Sequence, residues 1–223
     1  MTSAGGSSCD ELLPPAVAAA TNAFGDSLRL MLILLRHGQT ASNAAGLLLG
    51  RGDPPLTELG THQAEALSKV KGVAGARRVI ASPLARTRQT AELLGPPITL
   101  DERWIEIDYG VYEGTPLRDV PSEVWTHWRA DPSWKPEGGE SLIDLGRRVR
   151  AACEELLATG DAADNDVVVV SHVSPIKAAV AWALGVGDEV SWRMFLDVAS
   201  VCRITIGERG PSLRSYNESY SGC

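Results

Sequence analysis

The stretch that decides the fold is LMLILLRHG, residues 30–38. An unbroken apolar run of this kind predicts a parallel β-strand that is covered on both faces, because no side of it is suited to solvent. The run ends directly on Arg36 and His37, and Gly38 follows. Ligands of open α/β sheets bind beyond the carboxyl ends of the strands. Arg36 and His37 are therefore candidates for a binding site at this edge of the sheet.

Two further strand-like segments deliver similar residues. DVVVVSH, residues 166–172, is a second buried-looking run and ends on His172. RRVIAS, residues 77–82, is followed by a predicted helix whose first turn carries Arg86. A single histidine is more often structural, and a single arginine more often forms a surface ion pair. Two of each at strand ends are costly to bring together unless an anion neutralises them, so the pattern favours an anion site.

Strands and helices alternate along most of the chain, and this order predicts an α/β/α sandwich around a mostly parallel sheet of about six strands. Thr57 is expected to cap the first long helix, with Leu59 on its apolar side, and Ile143 is expected on the apolar side of the longest helix. The predicted strands are 29–35, 77–82, 97–100, 166–172 and a hairpin of 201–207 with 211–217 around Glu208–Gly210, and the predicted helices are 54–72, 83–95, 139–160 and 174–185.

Length and charge limit the classes of function. A chain of 223 residues with 44% hydrophobic residues is long enough to bury one core, which predicts one domain. The net charge of −7 argues against nucleic acid as a partner, because a phosphate backbone attracts a basic face. A few arginines can still form a local positive pocket for a small phosphate ligand on an acidic surface.

The cysteines and the N-terminal segment predict a cytoplasmic protein that does not enter a membrane. The four cysteines form no CxxC pair and no disulfide framework, so buried or incidental thiols in a reducing compartment are expected. Residues 1–28 are rich in Ser, Gly and Ala, and Pro14 and Pro15 interrupt their apolar part. They are predicted to be a disordered or loosely packed tail rather than a signal peptide or a membrane span. Translation from Met31 stays open.

Six segments, in order, resemble the histidine phosphatase superfamily, also called phosphoglycerate-mutase-like. RHG alone would be a weak signal, whereas the ordered set covers about residues 30–216. The resemblance implies a single domain of this family at residues 29–223, with an aromatic cap segment around 104–139. The segments are RHGQTASN, GRGDPPLTELGTHQA, ASPLARTRQTAELL, WIEIDYGVYEG, PEGGESLIDLGRRV and VVVVSHVSPIKAAV.

The resemblance implies covalent catalysis at His37. Its imidazole would attack phosphorus and become phosphohistidine, and a neutral imidazole is a competent nucleophile near neutral pH. Gly38 would leave room for the incoming phosphate, since it has no Cβ. Glu106 would protonate the leaving oxygen and then activate the water that cleaves phosphohistidine.

The resemblance also implies which residues bind the phosphoryl group. Arg36, Arg86 and His172 would hold its oxygens, because a guanidinium pairs with two oxygens at once. Asn43 would add an amide donor. We expect no cofactor and no metal, since the chain has four histidines and no HxH or HExxH spacing. The expected partner is a small phosphorylated substrate, with neither nucleic acid nor membrane, and a homodimer remains open.

SHVSPIK and the later FLDVAS resemble bacterial acid phosphatases of the α-ribazole phosphatase type. The resemblance implies a hydrolase, and two alternatives are weighed against it. A cofactor-dependent phosphoglycerate mutase would hold a second phosphate, yet the stretch 115–140 carries only three cations, Arg118, Arg129 and Lys135. The tryptophans of that stretch form either an aromatic cap or part of the core. The second alternative is a catalytically silent, phosphate-binding regulatory protein of the same fold.

Two departures from the family pattern bear on specificity. Val173 and Ser174 follow the second histidine, where glycine is usual, and Leu49 stands where many relatives carry a small polar residue or Gln. Backbone N–H groups of the first turn can still serve, because they depend little on the side chain. The change at Leu49 puts one side-chain contact to substrate in doubt.

Overall fold

The computed structural model describes residues 28–95, 97–158 and 166–220. Its centre is a six-stranded sheet in the order β3-β2-β4-β1-β5-β6, with helices on both sides. Neighbours among β1 to β4 pair in parallel, whereas β5 pairs antiparallel with both β1 and β6. The predicted sandwich with a mostly parallel sheet is confirmed. The strands are β1 (Leu28–Arg36), β2 (Arg78–Ala81), β3 (Ile98–Leu100), β4 (Val167–Ser171), β5 (Ser200–Gly207) and β6 (Gly210–Ser219).

Within the described ranges, six α-helices and several short 3-10 turns accompany these strands. The predicted cap of the first long helix, Glu58–Leu67, is confirmed, since the Thr57 side chain accepts a hydrogen bond from the Gly60 N–H at 3.0 Å. The helices are α1 (Ala41–Ala44), α2 (Glu58–Leu67), α3 (Ala85–Glu92), α4 (Ser122–Ala130), α5 (Leu142–Ala158) and α6 (Val173–Leu184).

The position of strand β1 in the fold explains why its sequence is apolar without interruption. Leu32 and Leu34 pack in one core cluster with residues of α5 and α6. Ile33 and Leu35 pack on the opposite face, in a second cluster with residues of α2 and α3. All four side chains are fully buried, because successive residues of a strand point to opposite faces of the sheet and both faces are covered.

Two predicted core positions are wrong. Leu59 is 53% exposed, and Ile143 is 39% exposed. In α2 the buried positions are Gly60, Ala64 and Leu67, so Leu59 lies one residue outside the face that packs on the sheet. Ile143 likewise falls between the buried positions of α5, which recur every three or four residues from Leu142. Helix α2 is also shorter than the predicted 54–72.

The tryptophans of residues 104–139 contribute to the core. Trp104 and Trp128 are almost fully buried, and Trp125 stacks on Trp128 with ring centroids 5.9 Å apart. Trp192, which comes from a distant part of the chain, lies 6.1 Å from the Trp125 ring in an edge-on arrangement. Core packing therefore describes these side chains, and a covering role of the segment over substrate stays a prediction.

The remaining expectations concern the chain ends and cysteines. Residues 1–27, nearly all of the predicted tail, lie outside the described residues, as do Cys9 and Cys223. Cys153 and Cys202 are buried free thiols, as expected. No helix in the described ranges is both long and apolar enough to cross a bilayer.

Candidate active site

The two histidines meet because their strands are neighbours. Strands β1 and β4 run in parallel with Arg36 opposite Ser171, so the residue after each strand lies at the same edge of the sheet. The rings of His37 and His172 have centroids 5.1 Å apart and are almost fully buried. The anion site predicted from the strand ends thus has its two histidines side by side.

The hydrogen bonds of His37 decide which nitrogen can react. Its Nδ1 lies 2.7 Å from the backbone oxygen of Gly38, and because a carbonyl only accepts, Nδ1 carries the proton. The Nε2 atom then holds the lone pair and accepts a bond from Nε of Arg86 at 3.3 Å. Burial above all, and then the charges of Arg86 and Arg36, lower the pKa of His37 well below its usual value. His37 is therefore a neutral imidazole with its lone pair at Nε2.

Arg86 is oriented by backbone as well as by its own helix. It lies in the first turn of α3 and is fully buried. Its Nη1 donates to the Gly52 oxygen at 2.7 Å, and its Nη2 donates to the Gly50 oxygen at 2.9 Å. These two bonds, on what we call loop 50–52, hold the guanidinium with Nε directed at His37.

Arg36 supplies a second guanidinium with unused donor capacity. Its Nη1 donates to the Leu196 oxygen at 2.6 Å. Its Nε is buried and has no hydrogen-bond partner among the described residues. Burial lowers the pKa of Arg36, and the nearby charges of Glu106 and Asp197 oppose this shift. A buried donor without a partner is costly, so an anionic ligand would satisfy it.

His172 occupies the N-cap position of helix α6, and its side chain makes no capping hydrogen bond there. Its Nε2 lies 2.7 Å from Oγ of Ser82, at the end of β2. Its Nδ1 is buried and lacks a partner in the described structure. Burial, followed by the charge of Arg86, lowers the pKa of His172 well below its usual value. Ser82 was not singled out in the sequence, since a serine at a strand end is ordinary.

Glu106 lies against the first turn of α6 and is only 4% exposed. Its Oε1 accepts bonds from the N–H of Ile107 at 2.8 Å and of Ser174 at 3.2 Å. The backbone donor that follows Val173 is thus present despite the missing glycine, and it serves the carboxylate of Glu106.

The main chain around Glu106 is fixed by a charged pair that the sequence analysis left without a role. Arg148 of α5 donates from Nη1 to the Arg103 oxygen at 2.7 Å and from Nη2 to the Glu106 oxygen at 3.3 Å. Glu140 holds Arg148 in turn, with its two oxygens 2.7 and 2.9 Å from Nε and Nη2. A two-point pair of this kind fixes geometry as well as charge.

Asn43 occupies a capping position. Its Oδ1 accepts from the backbone N–H of Thr40 at 3.0 Å and from the Thr40 hydroxyl at 2.9 Å. The side-chain oxygen is therefore engaged at the start of α1, and the amide nitrogen is the group left for a ligand. The contact of Asn43 with substrate stays a prediction.

Gly38 has a packing role, and the room that it would leave for the phosphate stays a prediction. A Cβ on Gly38 would lie 2.2 Å from the backbone oxygen of Gly60, and one on Gly60 would lie 2.1 Å from the Gln39 oxygen. The backbone that follows β1 thus presses directly on α2. Glycine is therefore required there for helix packing.

Comparison with known proteins agrees with this arrangement. Residues 32–219 match the family model of the histidine phosphatase superfamily (branch 1). The chain belongs to this superfamily. In the described ranges, no group of three or more His, Cys, Asp or Glu side chains is placed to hold a metal ion.

Relatives within the superfamily carry different names. The "Bifunctional protein Rv2228c" of Mycobacterium tuberculosis is 37% identical over 192 residues, which are 81% of this chain and 51% of the relative. The chain therefore spans about half the length of that relative. The "Probable phosphoglycerate mutase GpmB" of Yersinia enterocolitica is 32% identical over 188 residues, 80% of this chain and 86% of the relative.

Solved structures show the same fold. The mycobacterial glucosyl-3-phosphoglycerate phosphatase Rv2419c in complex with VO3 superimposes with a TM-score of 0.77 at 31% identity, over 86% of this chain and 100% of the other. The alpha-ribazole phosphatase of Shigella flexneri gives a TM-score of 0.74 at 26% identity, over 86% and 98% of the two chains.

Proposed function

We propose that this protein is a phosphomonoester hydrolase that acts on a small phosphorylated metabolite through a phosphohistidine and needs no metal ion. The observation that carries the proposal is the state of His37. Its ring is buried and neutral, its Nδ1 proton is held by the Gly38 carbonyl, and its Nε2 lone pair faces Arg86. This is the form of imidazole that attacks an electrophile.

In the proposed first step, Nε2 of His37 forms a bond to phosphorus while the bond from phosphorus to the ester oxygen breaks. Nε of Arg86 exchanges its contact with Nε2 for a phosphoryl oxygen. Arg36 offers its buried, unpartnered Nε to another oxygen, and His172 offers Nδ1–H in the tautomer in which its Nε2 accepts from the Ser82 hydroxyl. Such a preformed set of donors stabilises the charge that spreads over the phosphoryl oxygens in the transition state. The carbonyl of Gly38 stabilises the positive charge that the ring acquires.

Glu106 donates the proton in the first step and accepts one in the second. As a carboxylic acid it donates to the leaving oxygen, and the alcohol departs. As a carboxylate it then accepts a proton from the water that attacks phosphorus, while the bond to Nε2 breaks and inorganic phosphate forms. The hydrogen bonds from the main chain of Ile107 and Ser174 hold its Oε1 through both steps.

The placement of three cations favours a hydrolase over a mutase. Arg118 is exposed and lies 3.7 Å from Asp119. Arg129 lies over the Trp192 ring, 5.7 Å from its centroid, and Lys135 is exposed. None of these contacts directs a cation at His37 to hold a second phosphate. The likeness to the relative named as a mutase keeps a cofactor-dependent phosphoglycerate mutase as the second candidate.

The test is to trap the covalent intermediate. We expect radiolabelled p-nitrophenyl phosphate, in the presence of EDTA, to label the wild-type protein with an acid-labile, base-stable phosphate. His37→Ala should abolish both labelling and turnover, whereas His62→Ala, at an exposed histidine, should leave both unchanged. Persistent turnover in His37→Ala, or an EDTA loss that Mg²⁺ or Zn²⁺ restores, would refute the mechanism.

A substrate screen separates the two candidate functions. Phosphomonoesters are tested with and without 2,3-bisphosphoglycerate, and both phosphate release and isomerisation of phosphoglycerate are measured. The hydrolase releases phosphate whether or not the bisphosphate is present. Interconversion of phosphoglycerates that depends on the bisphosphate and outruns phosphate release would favour the mutase.

A further inference from the structure

A carboxylate outside the residues discussed so far holds the loop that orients Arg86. The side chain of Glu113 accepts hydrogen bonds from three consecutive backbone N–H groups of loop 50–52. Its Oε1 lies 3.0 Å from the Gly50 nitrogen and 3.1 Å from the Gly52 nitrogen, and its Oε2 lies 3.0 Å from the Gly50 nitrogen and 3.2 Å from the Arg51 nitrogen. Successive N–H groups that converge in this way form an anion-binding concavity.

The same loop faces Arg86 with its oxygens. While the N–H groups of loop 50–52 point at Glu113, the carbonyls of Gly50 and Gly52 accept the two terminal nitrogens of Arg86. The loop therefore lies between a carboxylate on one side and a guanidinium on the other. The negative charges of Glu106, Asp53 and Glu113 all act on Arg86.

Two glycines allow this close approach. A Cβ on Gly50 would lie 2.5 Å from the Ile107 oxygen and 2.7 Å from Oε2 of Glu113. A Cβ on Gly52 would lie 3.0 Å from Oε1 of the same carboxylate. The motif GRG and the glutamate of VYEG, more than 60 residues apart, thus form one unit. Since both oxygens of Glu113 already accept N–H groups, this carboxylate is engaged as an acceptor and is not placed as a proton donor.

We propose that Glu113 is a positioning residue for catalysis: through loop 50–52 it sets the orientation of the Arg86 guanidinium toward Nε2 of His37 and the transferred phosphoryl group. The proposal rests on the proposed phosphoryl transfer at His37. An amide in place of the carboxylate keeps one acceptor oxygen and sets an NH2 group against the N–H groups that the other oxygen accepted, so the loop and the two carbonyls that hold Arg86 shift. A misplacement of about 1 Å at a reacting group costs on the order of 100-fold in rate.

The test compares Glu113→Gln with Glu123→Gln, which changes an exposed glutamate of α4 and serves as the control. We expect Glu113→Gln to lower kcat/KM for p-nitrophenyl phosphate by about 10- to 100-fold, in line with the cost of small misplacements. Affinity for orthovanadate, which adopts the geometry of the transition state, should fall more than affinity for inorganic phosphate. Glu123→Gln should leave both unchanged.

A double-mutant cycle shows whether the effect passes through Arg86. In an Arg86→Ala background, Glu113→Gln should lower the residual rate by less than about twofold, because residues that act as one unit are not additive. Equal losses in the two backgrounds, or an unchanged kcat/KM in the single variant, would overturn the proposal. An inactive, unlabelled wild-type protein would instead refute the proposed function.

A second variant keeps the test informative if Glu113→Gln does not fold. Gly52→Ala retains the carboxylate but places a methyl group against it. We expect a smaller loss of kcat/KM and the same preferential loss of orthovanadate affinity. A folded Gly52→Ala protein with wild-type kinetics would also overturn the proposal.

Discussion

Replacement of Glu106 by Gln is the change that best isolates proton transfer at this site. The carboxylate accepts its two main-chain bonds, from Ile107 at 2.8 Å and Ser174 at 3.2 Å, through a single oxygen, Oε1. The amide oxygen of Gln can accept the same two bonds, so the side chain should stay in place. Only the weak 3.5 Å contact of Oε2 with the Ser174 nitrogen is lost. The variant therefore changes chemistry much more than structure.

The size of the effect should depend on the leaving group. General acid catalysis contributes about 100- to 10,000-fold, and it is needed only where the departing oxygen is strongly basic. An alkyl phosphate should therefore lose on the order of that factor in the phosphorylation step. Because nitrophenolate leaves without a proton, phosphorylation of His37 by p-nitrophenyl phosphate should be far less impaired. Hydrolysis of phosphohistidine still needs the base, so it should become slow.

Stopped-flow absorbance separates the two steps. Glu106→Gln should release a burst of nitrophenol equal to the enzyme concentration, followed by slow steady turnover, and the wild-type protein should show a smaller burst or none. Equal impairment of the phosphorylation step for alkyl and nitrophenyl substrates would show that Glu106 is not the general acid. Asp108 would then be the next carboxylate to test, because both oxygens of Glu113 accept backbone N–H groups.

Two further predictions concern stability. Burial and arginine charges lower the pKa of His37 and His172 well below 6.5, so below that pH the unfolded chain binds more protons than the folded one. As the pH is lowered from 6.5, the free energy of unfolding should therefore decrease by about 1.4 kcal/mol per pH unit for each histidine. Urea titrations at several pH values should show that His172→Asn weakens this pH dependence and that the exposed-site variant His62→Asn does not. The same pH dependence in the wild type and in His172→Asn would contradict the prediction. Gly38→Ala should lower the free energy of unfolding by about 1–3 kcal/mol, because its methyl group would overlap the Gly60 oxygen; unchanged stability would contradict this packing role.

The sequence alone predicted the layers of the fold and the edge at which the site lies. Both follow from local physics: the runs that became β1 and β4 are apolar at every position because both faces of the sheet are covered. The side chains directly after such strands, His37 and His172, must emerge at one edge when the strands are parallel neighbours. The roles of the individual residues come from the resemblance to a family, and the experiments above test them.

The tertiary structure alone decided the contacts between segments that are far apart in the sequence. Glu113 meets loop 50–52 across more than 60 residues, and Ser82 meets His172 across 90. Nothing in the local pattern of either partner indicates such a pair, because a glutamate in a loop is usually solvated. Leu59 shows the opposite failure, since it is apolar and lies at a plausible helical position, yet it is exposed in the described structure. The orientation of Arg86, and with it the reactive nitrogen of His37, depends on contacts of the first kind and so appears only when the chain is folded.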